Sequence, residues 1–148
     1  MLSGSLPIET AMHSRCATAI VPDDWAPTPR YRTVVTGIAD DETSDRAMLF
    51  AAREAQEAGA DLEALHAWMP VVPTLASPDL VVDDADQRAQ HRDRLSRALE
   101  RIRAAYPNTR LRGVLEEREP GLSLAEHASR GQLVVIGSHR RGALAGLL

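Results

Sequence analysis

The clearest chemistry in this sequence lies near its carboxyl end, where the apolar run Leu133-Val134-Val135-Ile136 passes directly into Gly137-Ser138-His139-Arg140-Arg141-Gly142. A buried strand, a glycine-containing loop and a helix start, in that order, present backbone N–H groups to an anion. A second candidate is the acidic run from Asp40 to Asp45. Its carboxylates could hold Mg²⁺, which prefers a few carboxylates together with substrate phosphates, but a helix N-cap cluster is the simpler account. The five histidines have no metal-ligand spacing and no paired carboxylate or thiol. His66 is therefore read as structural, whereas His139 lies inside the glycine loop. Ser138 is not a hydrolase nucleophile, because Ile136 and Arg140 stand where a nucleophile elbow needs glycines.

These residues are positioned by alternating strands and helices. Thr33-Val34-Val35-Thr36-Gly37-Ile38 is a β-branched run that stops at Asp40-Asp41-Glu42-Thr43-Ser44. From Ser44, the apolar positions Met48, Ala51, Ala52, Ala55 and Ala58 recur at helical spacing until Gly59. Leu62 to Trp68 reads as a second strand ended by Pro70 and Pro73, which completes a βαβ unit. Residues 70 to 82 carry three prolines without a period and read as a long surface loop. From Asp84 to Tyr106, the positions Leu95, Ala98, Leu99, Ile102, Ala105 and Tyr106 form one helical stripe ended by Pro107. Leu111 to Glu116 is a strand interrupted by Gly113. Ser123 to Ser129 is a short helix with Leu124, Ala125 and Ala128 on one side, stopping at Gly131. Leu133 to Ile136 has the continuous apolarity of a strand buried on both faces of a parallel sheet. The expected architecture is a doubly wound, Rossmann-like α/β sheet with helices on both faces, its ligands beyond the carboxyl ends of the strands. Residues 37 to 44 and 136 to 142 are then the loops that matter.

Composition narrows the function. At 148 residues the chain has room for one core. It contains no apolar run near the ~20 residues a membrane helix needs, and with no visible export signal a cytoplasmic location is expected. All 17 basic residues are arginine, so mechanisms that need an ε-amine, including a P-loop lysine and Schiff-base chemistry, are excluded. The formal charge of −4 argues against general affinity for nucleic acid or acidic lipid. Arg88, Arg92, Arg94, Arg97, Arg101 and Arg103 share their helix with Asp84, Asp86, Asp93 and Glu100, and read as solvated surface. The single Cys16 reads as a small buried hydrophobe.

In content and order, Val34-Val35-Thr36-Gly37-Ile38 through Arg46-Ala47, the strand ending Leu65-His66-Ala67-Trp68, and Val134-Val135-Ile136-Gly137-Ser138-His139 through Leu148 resemble the universal stress protein family. The resemblance covers nearly everything from residue 32 onward. It implies a five-stranded parallel sheet and, as in many members, ATP binding. In nucleotide-binding members the loop after the fourth strand runs Gly, two residues, Gly, nine residues, then Gly and Ser or Thr. Glycines let the backbone close on phosphates, and the final pair opens a helix whose N-terminus receives them. The nucleotide-binding positions implied here are Ile38, Ala39, Asp40, Ala67, Ile136, Gly137, Ser138, His139, Arg140 and Gly142, together with Gly4 and Ser5. Two departures bear on affinity: Arg140 replaces the second glycine, and Ala39 stands where binding members usually carry an Asp that contacts the adenosine part of the ligand.

A third departure concerns the ends. The sequence stops at Leu148, before the closing pair and a fifth strand, while residues 4 to 22 resemble the family's last helix and fifth strand, with Gly4 and Ser5 at the closing pair. A tandem-domain origin is expected: residues 1–22 from a preceding or permuted copy, residues 23–32 as linker, and residues 33–148 as a universal stress domain. Residues 23–32 can reach ~33 Å, more than the ~17 Å needed to return along one strand, so residues 17–21 are expected to complete the sheet as its fifth strand. The resemblance further implies a regulatory module that binds ATP weakly, with Mg²⁺ as an accompanying ion and a homodimer or tandem-domain partner. No catalytic residue is identifiable, and any ATP cleavage would be slow. The alternative is a dimerising protein-interaction module that has lost nucleotide binding. An adenylating enzyme on a related fold lacks a recognisable substrate domain.

Overall fold

In the computed structural model, which describes residues 11, 13, 14, 16–24, 26, 32–39, 41–70 and 83–137, the elements are β1 (Thr33–Gly37), α1 (Glu42–Ala58), β2 (Asp61–Trp68), α2 (Asp84–Ala105), β3 (Leu111–Glu117), α3 (Pro120–Ala128) and β4 (Leu133–Val135). All strand pairs are parallel, in the order β3-β2-β1-β4. The helices follow from handedness. The chain steps outward from β1 to β2 to β3 and then returns past both to reach β4. Right-handed crossovers therefore put α1 and α2 on one face and α3 on the other.

The α1–α2 face holds the core. Val34, Leu62 and Ala64 of the sheet pack with Met48, Ala51, Ala52 and Ala55 of α1 and Leu95, Ala98 and Ile102 of α2. The alanine stripe of α1 lets that helix lie close to the sheet. Its ends are set locally: Asp41 accepts a hydrogen bond from the Ser44 N–H at 2.7 Å, and Gly59 takes the left-handed φ of 60° that ends the helix. Gly113 does not interrupt β3, because the space its missing side chain leaves is filled by Leu99. Among the described residues, no helix is long and apolar enough to cross a membrane.

Four expectations are corrected. Among the described residues the sheet has four strands, and residues 17–21, expected as its fifth, form no strand and lie exposed, Ile20 and Val21 at 52% and 63%. Their neighbourhood is organised instead by short-range bonds among Ser14, Cys16 and Thr18. Cys16 is exposed, not buried. Among the described residues β4 is an edge strand paired only with β1, and its Leu133 is part-exposed; a continuous apolar run does not reveal on how many sides a strand has a neighbour. Finally, α3 turns Ser123 and His127 inward and leaves Ala125 exposed. The facing strands supply Glu63 and Glu116, and buried carboxylates require donors, so polar satisfaction sets the helix's rotation.

Candidate functional site

The strand order reverses between β1 and β4, and in open parallel sheets the crevice at the carboxyl end of such a switch point is where ligands sit. Ser44, buried in the first turn of α1, shapes the β1 side. Its hydroxyl accepts the Ala39 N–H at 2.8 Å and donates to the Gly37 carbonyl at 3.4 Å, so the backbone leaving β1 is held against the helix start. The β4 side is held by close approach. A Cβ on Gly137 would fall 2.8 Å from both the carbonyl carbon and the carbonyl oxygen of Thr43. Only a residue without a side chain lets the backbone after β4 reach the N-terminal turn of α1. Below, Leu124 of α3 and Ile136 flank Gly37, at 3.4 and 3.8 Å from where its Cβ would stand.

Of the residues singled out from sequence, Ile38 and Ala39 at the end of β1, Ala67 near the end of β2, and Ile136 and Gly137 after β4 all lie at this carboxyl edge. Ile38 is buried and Ala39 exposed. Gly4, Ser5, Asp40, Ser138, His139, Arg140 and Gly142 lie outside the described residues. Thr43, Ser44 and Leu124 were not identified from sequence as site residues. The Asp-rich start of α1 would have been the signal for Ser44, but its bonds to Ala39 and Gly37 depend on the turn's geometry.

Among the described residues, the carboxylates of the acidic run are engaged elsewhere. Asp41 caps α1, and Asp45 pairs with Arg101 at 2.6 Å. Among the described residues, no group of three or more His, Cys, Asp or Glu side chains could hold a metal ion.

His66 is structural, and it is linked to the crevice. Its Nδ1–H donates to the Ile38 carbonyl at 2.7 Å, a partner that can only accept, and its Nε2 lies 2.8 Å from Nδ1 of His91 on α2. Trp68 stacks on the His91 ring at 4.3 Å. Burial, then His66 and Arg94, hold the His91 imidazole below its ordinary pKa, and its Nδ1 also lies 3.4 Å from the Arg94 guanidinium.

On the opposite face, His127 overturns the expectation of histidines without carboxylate partners. Its Nδ1 contacts Glu63 of β2, and its Nε2 lies 2.9 Å from Glu116 of β3. Glu116 also accepts from the fully buried Ser123 hydroxyl. The bonds from Ser123 and His127 hold the Glu116 carboxyl below the usual carboxylate range. A cavity of about 200 Å³ lined by Thr33, Val35, Glu63, Arg112, His127 and Arg130 adjoins this cluster. Another of about 210 Å³ lies at the amino edge of the sheet, around Asp61, Arg110 and Arg112. Arg110 pairs with Asp61, and Arg112 with Glu63, so the charges lining the amino-edge cavity are already matched.

Comparison with known proteins is consistent across sequence and structure. The family model described as the universal stress protein family matches residues 30–148. A universal stress protein of Mycobacterium tuberculosis is 33% identical over 150 residues, covering 99% of this chain and 47% of its own length. A second from the same species is 32% identical, covering 99% and 50%. The chain thus spans about half the length of the curated relatives it matches. Among solved structures, a universal stress protein from Archaeoglobus fulgidus superposes with a TM-score of 0.60 at 21% identity, covering 79% of this chain and 85% of its own. One from the same organism in complex with dAMP gives 0.58 at 22%, covering 80% and 90%. Another universal stress protein, in complex with cAMP, gives 0.55 at 24%, covering 71% of each chain. At these identities the structural likeness speaks to the fold.

Proposed function

This chain belongs to the universal stress protein family, and from that premise we propose that it is a regulatory domain that binds an adenine nucleotide weakly at the carboxyl edge between β1 and β4. The observation that carries this reading is the approach of Gly137 to Thr43. It brings the backbone after β4 onto the start of α1 at the reversal of strand order, and a glycine turn beside a helix start is a place where an anion can be received. Two structural relatives, solved with cAMP and dAMP, hold adenine nucleotides on the same fold. Ile38 and Ala67 would line the base, and the loop beyond Gly137, with Ser138, His139, Arg140 and Gly142, would meet the phosphates.

Weak affinity follows from the chain's own residues. Ala39 offers no carboxylate to the ribose, and its N–H is already taken by Ser44. Arg140 puts a long side chain where closely bound phosphates favour glycine. No residue is assigned a catalytic role. A nucleotide-independent interaction module is the competing reading, favoured by these same two positions. Calorimetry with ATP, with and without Mg²⁺, on the native chain and on Arg140→Gly separates them. Binding by either protein, tighter in Arg140→Gly, supports the nucleotide reading. Absence of heat from both, in either condition, favours the interaction module.

A further inference from the structure

The bridge formed by His127 has a property that the nucleotide site does not need. Both ring nitrogens face carboxylates, Glu63 on one side and Glu116 on the other. Ionised carboxylates only accept hydrogen bonds, and a neutral imidazole has a single N–H. Both bonds therefore require the doubly protonated ring. The side chain of His127 is only 8% exposed, so a mismatched nitrogen cannot turn to bulk water. The neighbouring cavity nevertheless reaches His127 and gives protons a route in.

We infer that His127 is a proton-operated latch: protonated, it fastens α3 to β2 and β3, and neutral, it releases one carboxylate and loosens α3 beneath the crevice between β1 and β4. The charged groups around it, among the described residues, are few. β2 contributes Glu63, and β3 contributes Glu116 and Arg112, the latter 3.5 Å from Glu63. Arg130, just past α3, lines the cavity but pairs with Glu126 at 3.0 Å, and Glu126 is also held by Arg118. β1 presents only Thr33 and Val35 there. Two carboxylates thus face His127 and Arg112. Loss of the imidazolium leaves one negative charge uncompensated beside the buried Glu63 and the part-exposed Glu116, which is destabilising. Burial by itself lowers the pKa of His127, but the bonds to Glu116 and Glu63 outweigh it and raise the group above its ordinary 6.5. The latch is therefore fully closed below pH 6.5 and opens as pH rises through the elevated folded-state value. The released helix carries Leu124, which packs under Gly37, so the proton acts on the crevice floor.

The test uses the ligand-free chain, so it is independent of the nucleotide reading. The His127 ring is titrated by NMR from about pH 5 to 9.5, across the window a raised histidine spans, while amide hydrogen exchange is followed in parallel and corrected for intrinsic rates. The latch predicts a midpoint above 6.5. It also predicts a roughly tenfold or larger loss of protection in α3 across that midpoint, with α1 and α2 unchanged. His127→Lys, a cation through this range, should remove the pH dependence and keep α3 protected. His127→Gln, with a single donor direction, should exchange fast already at the acid end. A midpoint at or below 6.5, a ring that stays protonated to the end of the titration, or α3 protection that is flat through the midpoint overturns the proposal. The ring titration and exchange of the native chain decide the matter even where a variant fails to fold.

Discussion

Replacing Gly137 with alanine adds one methyl group, and the surroundings of that methyl fix what happens next. Its nearest neighbours, at 2.8 Å, are main-chain atoms of Thr43, whereas ordinary van der Waals contact begins at 3.4 Å. The difference, roughly 0.6 Å, cannot be absorbed by a rotamer change and must come from separating β4's outgoing backbone from the first turn of α1. Overpacking of this kind costs ~1–3 kcal/mol. For a domain of this size a mid-range ~2 kcal/mol corresponds to about 4 to 8 °C in Tm. Gly113→Ala is the matched control. Its added Cβ falls even closer, 2.6 Å from a neighbour, but that neighbour is the Cδ1 of Leu99, the movable end of a side chain. Relief from glycine's backbone entropy offsets part of the crowding, and the net effect is expected within about 1 kcal/mol of zero. Differential scanning fluorimetry of the two variants ranks them directly. A Gly137→Ala protein that melts with the native chain, or above Gly113→Ala, refutes the reasoning that backbone contact at Thr43 is what demands glycine.

Two further outcomes follow from the same geometry. Asp41→Ala removes the acceptor for the Ser44 N–H at the start of α1 and should cost ~1 kcal/mol in a urea melt; no shift in midpoint would show that the cap contributes nothing. Ser123→Ala withdraws the buried hydroxyl that donates to the Glu116 carboxylate and holds it ionised. Because that carboxyl sits below its ordinary 4.5, its contribution is present above that pH and is lost as pH falls through the lower folded-state value. The variant should begin to unfold at a higher pH than the native chain in an acid titration followed by circular dichroism, and coincident acid transitions would contradict the assignment.

Much of the fold was legible because its signals are local. The β-branched residues before Asp41, the alanine stripe ending at Gly59 and the stripe Leu95, Ala98, Ile102 each declare an element within a few residues, and the structure places those elements there. What depends on distant partners was not legible. Val134 and Val135 look alike in a central and an edge strand, since only the sheet order shows that β4 has one neighbour among the described residues. The inward turn of Ser123 and His127 is dictated by Glu63, 64 residues from His127, and by Glu116, 11 residues away. Apolar periodicity instead favoured Ala125. At the crevice, the sequence pattern marked Gly137, but the reason a glycine is needed there lies in Thr43, contributed by the first turn of α1. The bonds from Ser44 to Gly37 and Ala39 were likewise hidden behind an ordinary helix-start signal.

Backbone amide mapping by heteronuclear NMR, with AMP and then ATP added to the native chain, tests the proposed nucleotide site most directly. Saturable shifts are expected at Ile38, Ala39, Ala67, Ile136 and Gly137, clustered at the carboxyl edge between β1 and β4. Saturable shifts confined to Asp61, Arg110 and Arg112 at the amino edge, or none at all at millimolar nucleotide, would contradict it.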